Sequence, residues 1–269
     1  MAQTIDTRLM STKVLKFLES SQEQQKESTD RLGSGLRVNG AKDDAAGLAI
    51  AERMNSTIRG MHVGMRNAYD GISLSQTAEN GLGQVNDILQ RMRDLAVQSA
   101  NGTSSSADRQ NLNAEFSALN EEVSKIASTT TFNGETVLAG NGRSVDFQLD
   151  PDTQAGNTVS IDLANVEPLS TNISTYESSR TSIEQVDAMI AEVASSRAGF
   201  AAMQGRFESA INNLQTGMEN QSAARGRITD ADVALETARL ARSQILQQAV
   251  TAMSVQANVS SQSAMSLLG

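Results

Sequence analysis

Apolar residues recur every three or four positions along most of this chain, which is the spacing of one face of an α-helix. Between residues 50 and 72 the steps are 4, 4, 3, 4, 3 and 4, and between residues 82 and 96 they are 3, 4, 3 and 4. The spacing predicts a continuous helix over about 44–100 with a narrow seam for packing against other helices. At 1.5 Å per residue this helix is roughly 85 Å long, which is typical of a rod.

Further helices are predicted on both sides of the middle of the chain. Small and polar residues at 101–106 end the first helix and offer N-capping side chains to a second helix over about 107–128. Because the connection is short, we expect the second helix to return antiparallel along the first. A final helix begins near Asp230, with Asp232 and Glu236 at the end of its dipole that favours acidic residues.

The period changes to two in the middle of the chain, between about 129 and 175. Two runs alternate apolar and polar residues, as half-buried strands do, and a turn-rich link separates them. The apolar members of these runs are Val145, Phe147, Leu149, Val159, Ile161 and Leu163. The sequence therefore predicts a mainly α fold, a long antiparallel helical rod with coiled-coil packing and a small central β-hairpin region.

Both ends of the chain carry apolar positions that need a partner surface. An isolated amphipathic helix is marginal in water and gains its stability by packing one face. We therefore expect the two ends to pair with each other and with other copies of the same chain. The residues predicted to support this self-assembly are Val14, Leu18, Leu246, Val250, Met253, Leu267 and Leu268.

Composition excludes most kinds of chemistry. The chain has no Cys and a single His, His62, so a thiolate metal site, a disulfide framework and a nucleophile paired with His are not expected. Asp43 and Asp44 could suggest paired catalytic carboxylates, but their position favours stabilisation of a helix N-terminus. We predict no enzymatic activity, no catalytic residue, no metal and no cofactor.

Charge and hydropathy exclude two classes of partner. The 269 residues include 22 Lys and Arg against 31 Asp and Glu, a net charge of −9, whereas nucleic-acid binding needs clustered basic residues. No stretch approaches the roughly 20 apolar residues of a membrane-spanning helix. The first twenty residues also lack the apolar run of a secretory signal. Targeting rules alone predict a soluble cytoplasmic protein that binds neither nucleic acid nor a membrane.

Several segments resemble the signatures of one protein family, the bacterial flagellins. The N-terminal similarity lies in 34–50, 66–79, 89–101 and 132–134, and the C-terminal similarity in 222–232, 244–249 and 266–268. Together the similar regions cover about 1–140 and 180–269. The resemblance implies a structural subunit that self-assembles into the flagellar filament for swimming motility.

The resemblance also implies how the chain is divided in a filament. Residues 1–43 and 229–269 would form the inner coiled-coil tube, and 44–228 would form a rod domain around it that includes the β-region at about 129–175. Many flagellins insert large outer domains in the middle, whereas only about 50 residues separate the helical halves here. We therefore expect a thin, relatively smooth filament.

Location and partners follow from the same resemblance. Flagellins are exported through the flagellar type III apparatus without a cleaved signal peptide, which places the protein outside the cell in the flagellum and replaces the cytoplasmic prediction. The implied partners are other subunits, an export chaperone at the C-terminal segment, and the filament cap and junction proteins. Toll-like receptor 5 is a further implied partner, and the matching contact residues are Arg91, Leu95 and Glu115.

Two alternative functions remain at this point. A hook–filament junction protein of the same family would share the terminal segments. A chemoreceptor-like helical signalling hairpin would also be rich in Ala, Ser and Gln, but it would need an unbroken helical tip and usually a membrane span. The central β-region and Pro151 argue against that hairpin.

Overall fold

The computed structural model describes residues 2–139, 142–150 and 157–266, and it describes side chains at 12–139, 142–150, 157–256 and 259. Within these ranges the chain forms five helices and four short strands, so the predicted mainly α fold with a small β-region is confirmed. In chain order the elements are α1 (Ala2–Ser34), α2 (Ala45–Ser99), α3 (Ser106–Thr129), β1 (Thr131–Phe132), β2 (Glu135–Thr136), β3 (Ser144–Gln148), β4 (Thr158–Asp162), α4 (Tyr176–Thr229) and α5 (Val233–Ser266).

Asp44 holds the start of α2, as predicted, and Asp43 holds the turn before it. Asp44 Oδ1 accepts a hydrogen bond from the Gly47 backbone N–H at 2.8 Å, which is N-cap geometry. Asp43 Oδ2 accepts from the backbone N–H groups of Asn39 and Gly40 at 3.0 and 3.1 Å. Both carboxylates therefore satisfy backbone donors, the structural role that the sequence favoured for them.

Capping side chains also begin α3 and α5. Ser105 and Asp108 form a reciprocal capping box at the start of α3. The hydrogen bonds from the Ser105 hydroxyl and backbone N–H lower the pKa of Asp108 below its ordinary value. At α5, Asp232 Oδ1 accepts from the backbone N–H groups of Ala234 and Leu235. The predicted starts of both helices are confirmed.

The chain divides into two compact units. One unit contains residues 1–56 and 220–269, and the other contains residues 57–219. This division concerns a single copy, so the predicted filament layers of 1–43 with 229–269 and of 44–228 stay a prediction.

The unit formed by 57–219 has a continuous apolar core. The part of the predicted α2 seam that runs from Leu82 to Ala96 is buried, and α3 and α4 pack large side chains against it. Arg91 pairs with Glu115, and Arg109 donates to the Ser99 carbonyl, so α2 and α3 run antiparallel as predicted. The buried residues contributed by the three helices include Leu82, Val85, Leu89, Met92, Ala96, Phe116, Val123, Val186, Val193, Phe200 and Phe207.

Two antiparallel hairpins cover part of this core, one more than the sequence predicted. The β1–β2 hairpin turns at Asn133 and Gly134, which both have positive φ and therefore suit an Asn-Gly pair. In the predicted β3–β4 hairpin, Phe147 lies opposite Val159, and the Phe147 ring meets Phe207 of α4 edge to face at 5.5 Å. That aromatic contact fastens the hairpin to the helices.

In the other unit α1 packs against α5, which confirms the predicted pairing of the chain ends. Backbone hydrogen bonds join the segment that follows the C-terminus of α1 to the segment that precedes the N-terminus of α5. The Arg37 N–H donates to the Thr229 carbonyl at 2.6 Å, and the Ala231 N–H donates to the Gly35 carbonyl at 2.9 Å. Gly35 has a φ of +70°, a left-handed conformation that suits glycine where the chain leaves α1.

The β3–β4 hairpin depends on one glycine of α2. A Cβ at Gly64 would collide with the backbone carbonyl of Leu149, immediately after β3. A backbone atom cannot turn aside as a side chain can, so any larger residue must displace the hairpin. Gly83, in the same helix, has open space around its missing Cβ.

We expect Gly64→Ala to lower the free energy of unfolding by about 1–3 kcal/mol because the hairpin must move away from α2. Gly83→Ala is the matched control and should raise it by about 0.5–1 kcal/mol, the ordinary gain of alanine within a helix. Amide hydrogen exchange across 57–219 measures both changes. Equal effects of the two substitutions would contradict the close approach of the hairpin.

Candidate assembly surface

The helix pair formed by α1 and α5, called here the terminal helix pair, exposes an unusual amount of hydrocarbon. Nine large apolar side chains on it are 45–66% exposed in a single copy. We call these residues the exposed apolar set: Leu15, Phe17, Val233, Leu235, Ile245, Leu246, Met253, Val255 and Val259. Single exposed apolar residues are normal on soluble proteins, but a concentration of them indicates a surface that another molecule covers.

The contact between the two helices is mostly polar. Of the side chains on α1 and α5 that the structure describes, only Ser21, Ser28, Glu236, Ser243 and Val250 are buried. Ser21 Oγ donates to the Ser243 carbonyl at 2.9 Å, and Ser28 Oγ donates to Glu236 Oε2 at 3.2 Å. The buried side chains of the pair are thus mostly polar while nine large apolar side chains are exposed, unlike in an ordinary helix pair.

The two hydrogen bonds fit the same alignment of α1 against α5. Seven residues forward along α1, from Ser21 to Ser28, correspond to seven residues back along α5, from Ser243 to Glu236. This is the heptad spacing of coiled-coil helices. Val14 lies one heptad before Ser21, and Val250 lies one heptad after Ser243, so the polar seam continues into an apolar one towards the chain ends.

Glu236 is the centre of the polar contact. Its carboxylate is 4% exposed and accepts hydrogen bonds from Arg31 at 3.3 Å and from Arg239 at 2.8 Å, besides that from Ser28. A buried carboxylate is stable only when such partners satisfy it. The sequence identified Glu236 through the helix dipole alone, because its partners on α1 lie about 200 residues away.

The residues predicted to support self-assembly occupy different positions in the pair. Leu246 and Met253 belong to the exposed apolar set, and Val14 and Leu18 are half-buried. Val250 is buried within its own chain. Leu267 and Leu268 lie outside the described residues.

Several members of the exposed apolar set escaped the sequence prediction. Ile245, Val255 and Val259 lie on the last helix but not on the stripe that contains Leu246, Val250 and Met253. A helix that carries apolar residues on more than one side is usually covered on more than one side. The apolar residues that lie outside a single stripe are therefore the sequence feature from which these positions could be found.

The residues that match the receptor contacts of flagellins lie in the other unit. Arg91 and Glu115 are exposed and form an ion pair, with Arg91 Nη2 2.7 Å from Glu115 Oε1. Leu95 is 1% exposed and belongs to the core between the helices. The structure therefore places two of the three predicted residues at the surface and the third in the core, and the receptor contact stays a prediction.

The described residues offer no cluster of His, Cys, Asp and Glu that could hold a metal ion. His62 lies exposed on α2. None of the described helices combines the length and the hydropathy needed to span a membrane.

Two family models match most of this chain. Residues 5–143 match the family model of the bacterial flagellin N-terminal helical region, and residues 183–268 match that of the C-terminal helical region. A flagellin of Halalkalibacterium halodurans is 41% identical over 252 residues, covering 91% of this chain and 92% of the relative. Flagellin B of Vibrio anguillarum is 31% identical over an alignment of 376 positions that covers all of both chains.

A solved structure gives the same result. The crystal structure of Bacillus cereus flagellin is 32% identical, with a TM-score of 0.51, and the match covers 60% of this chain and 94% of that one.

We expect Glu236→Gln to lower the free energy of opening of the terminal helix pair by about 1–3 kcal/mol, since the amide satisfies fewer of the converging donors. Glu19→Gln, an exposed glutamate on α1, is the control and should change it by less than about 0.5 kcal/mol. Amide hydrogen exchange of α1 and α5 provides the measurement. A Glu236 variant as stable as the control would show that the buried carboxylate does not hold the pair together.

Proposed function

The chain belongs to the bacterial flagellin family, and we propose that it is a structural subunit that self-assembles into the flagellar filament for swimming motility. One observation carries the proposal: the terminal helix pair buries polar groups and exposes nine large apolar side chains. The role is structural and requires no catalysis, metal or cofactor.

Other copies of the chain are the surfaces that cover the exposed apolar set. Each apolar Å² removed from water contributes about 25 cal/mol, which offsets the loss of side-chain freedom on assembly. An interface between unlike surfaces that does not close on itself produces an open helical polymer. We propose that residues 1–43 and 229–269 form the inner tube of that polymer and that 44–228 surround it.

Export and location complete the proposal. The protein acts outside the cell, in the flagellum, after passage through the flagellar type III apparatus without cleavage of a signal peptide. Before export, a chaperone covers the C-terminal segment. The exposed Ile245, Met253 and Val255 on α5 support this partner, because unassembled copies would otherwise associate through them.

The cap and junction proteins occupy the two ends of the filament, where subunits lack neighbours of their own kind. Within the family, a hook–filament junction protein is the second candidate function. Similarity to flagellins along nearly the whole chain favours the filament subunit. The signalling-hairpin alternative is not supported, since two β-hairpins separate α3 from α4.

Recognition by Toll-like receptor 5 is a further proposal, and two of its three matching residues support it by their exposure. Arg91 and Glu115 match the family's contact positions and are exposed. Because they form an ion pair between α2 and α3, a receptor must either break that ion pair or add its own charged or polar groups to it.

We expect the double substitution Phe17→Ser with Ile245→Ser to abolish seeded polymerisation. The two side chains are 65% and 66% exposed, so removing them leaves the folded single copy intact but removes apolar area from the interface between copies. Light scattering with preformed filament seeds measures elongation, and circular dichroism checks that the helix content is unchanged.

Tyr176→Ser is the matched control, because Tyr176 is 45% exposed but lies outside the terminal helix pair. It should polymerise like the unmodified chain. Normal filaments from the Phe17/Ile245 variant would contradict the assembly role of the terminal helix pair.

We expect filaments of this protein to be thin and relatively smooth. Only residues 130–175 separate α3 from α4, which leaves little chain for outer domains. The longer alignment with the Vibrio relative, 376 positions against 269 residues, supports additional sequence in that relative. A cryo-electron microscopy reconstruction with projecting outer domains would refute this expectation.

A further inference from the structure

A small cavity between α1 and α5 carries an excess of positive charge. Its volume is about 280 Å³, and five charged residues line it. Arg31, Arg239 and Arg242 supply three guanidinium groups, whereas Glu27 and Glu236 supply two carboxylates. The cavity therefore has one positive charge without a counter-charge, in a chain whose net charge is −9.

Two of the arginines retain unused hydrogen-bond donors. Arg31 donates through its Nη atoms to Glu236 and Glu27, but its Nε is buried and has no acceptor among the described residues. Arg242 is exposed and forms no ion pair with any residue that the structure describes. A buried donor without an acceptor is costly and marks a place where an acceptor is missing.

The free guanidinium donors of the cavity indicate which chemical group would bind there. A guanidinium group presents a planar fork of donors that matches the two oxygens of a carboxylate, and such charge-assisted bonds are the strongest in proteins. We propose that this cavity binds a carboxylate side chain of a second copy of the chain. The proposal rests on the filament function above and adds a specific ionic contact to it.

A second copy is the favoured source because the cavity belongs to the same helix pair as the exposed apolar set. A neighbour that covers Phe17 or Ile245 therefore brings its own surface beside the cavity. That surface offers carboxylates, since α1 exposes Glu19 and Glu23, which form no ion pair with described residues. A charge matched across an interface contributes mainly specificity and alignment of the copies.

Crosslinking identifies the occupant directly. Arg242→Lys keeps the positive charge and introduces an amine, which a carbodiimide joins to a touching carboxylate as an amide with loss of one water. Filaments are grown from an equal mixture of ¹⁴N- and ¹⁵N-labelled protein, so a mixed-isotope peptide proves that the bond joins two copies. We expect mixed-isotope crosslinks from position 242 in filaments and none in single copies.

Filaments whose crosslinks from position 242 are absent, or only join residues of one chain, overturn the carboxylate site and leave the filament function standing. An unmodified chain that forms no filaments overturns both. The unmodified chain has no amine at position 242 and controls for reaction at its natural lysines.

A neutralising variant tests the same site without crosslinking. Arg242→Gln should raise the critical concentration for polymerisation by roughly tenfold, the effect of losing one partly desolvated charge pair. Arg227→Gln removes an exposed charge from the same unit away from the cavity and should change it less than about twofold. Equal effects of the two variants overturn the proposal.

A free oxyanion could use the same donors, and inorganic phosphate is the probe for it. Calorimetric titration of phosphate into single copies should give no saturable binding. Saturable binding that is lost in the Arg242→Gln variant would assign the cavity to a free anion and overturn the second-copy carboxylate.

Discussion

The assembly surface depends on one physical constraint, the burial of hydroxyl groups and a carboxylate where helix pairs usually bury hydrocarbon. Ser21 and Ser28 each donate a hydrogen bond from α1 to α5, and the second bond ends on Glu236. These bonds have fixed direction and length, so they align the two helices where the contact buries mostly polar side chains. Nine large apolar side chains of the two helices stay exposed in a single copy, which is typical of a surface that another molecule covers.

The unit formed by 57–219, in contrast, buries mainly apolar side chains. Its core joins three helices and two hairpins through fully buried apolar residues such as Phe116, Phe207 and Leu138. The close approach at Gly64 and the aromatic contact of Phe147 fasten the β3–β4 hairpin to that core. The chain thus separates a part with a continuous apolar core from a part that leaves large apolar side chains exposed in a single copy. This separation suits a subunit that must exist alone before it polymerises.

Local patterns predicted much of the architecture because their causes are local. Period 3.6, period 2 and capping side chains are properties of short segments, and they correctly placed α2, α3 and the β3–β4 hairpin. These local patterns leave open the individual contacts that each apolar side chain makes with distant segments. Val250 packs within its own chain rather than on the exposed surface, and Leu95 points into the core, because an apolar stripe does not reveal which partner it faces.

The sequence by itself determined the mainly helical fold, the pairing of the chain ends, the absence of Cys and the membership of the family, since these follow from periodicity, composition and signature residues. Only the tertiary structure decided which side of each terminal helix is buried. It also brought Arg31 to Glu236 across about 200 residues and left Ile245 in solvent. The physical reason is that burial and charge pairing are properties of contacts in space, and spacing along one helix does not encode them.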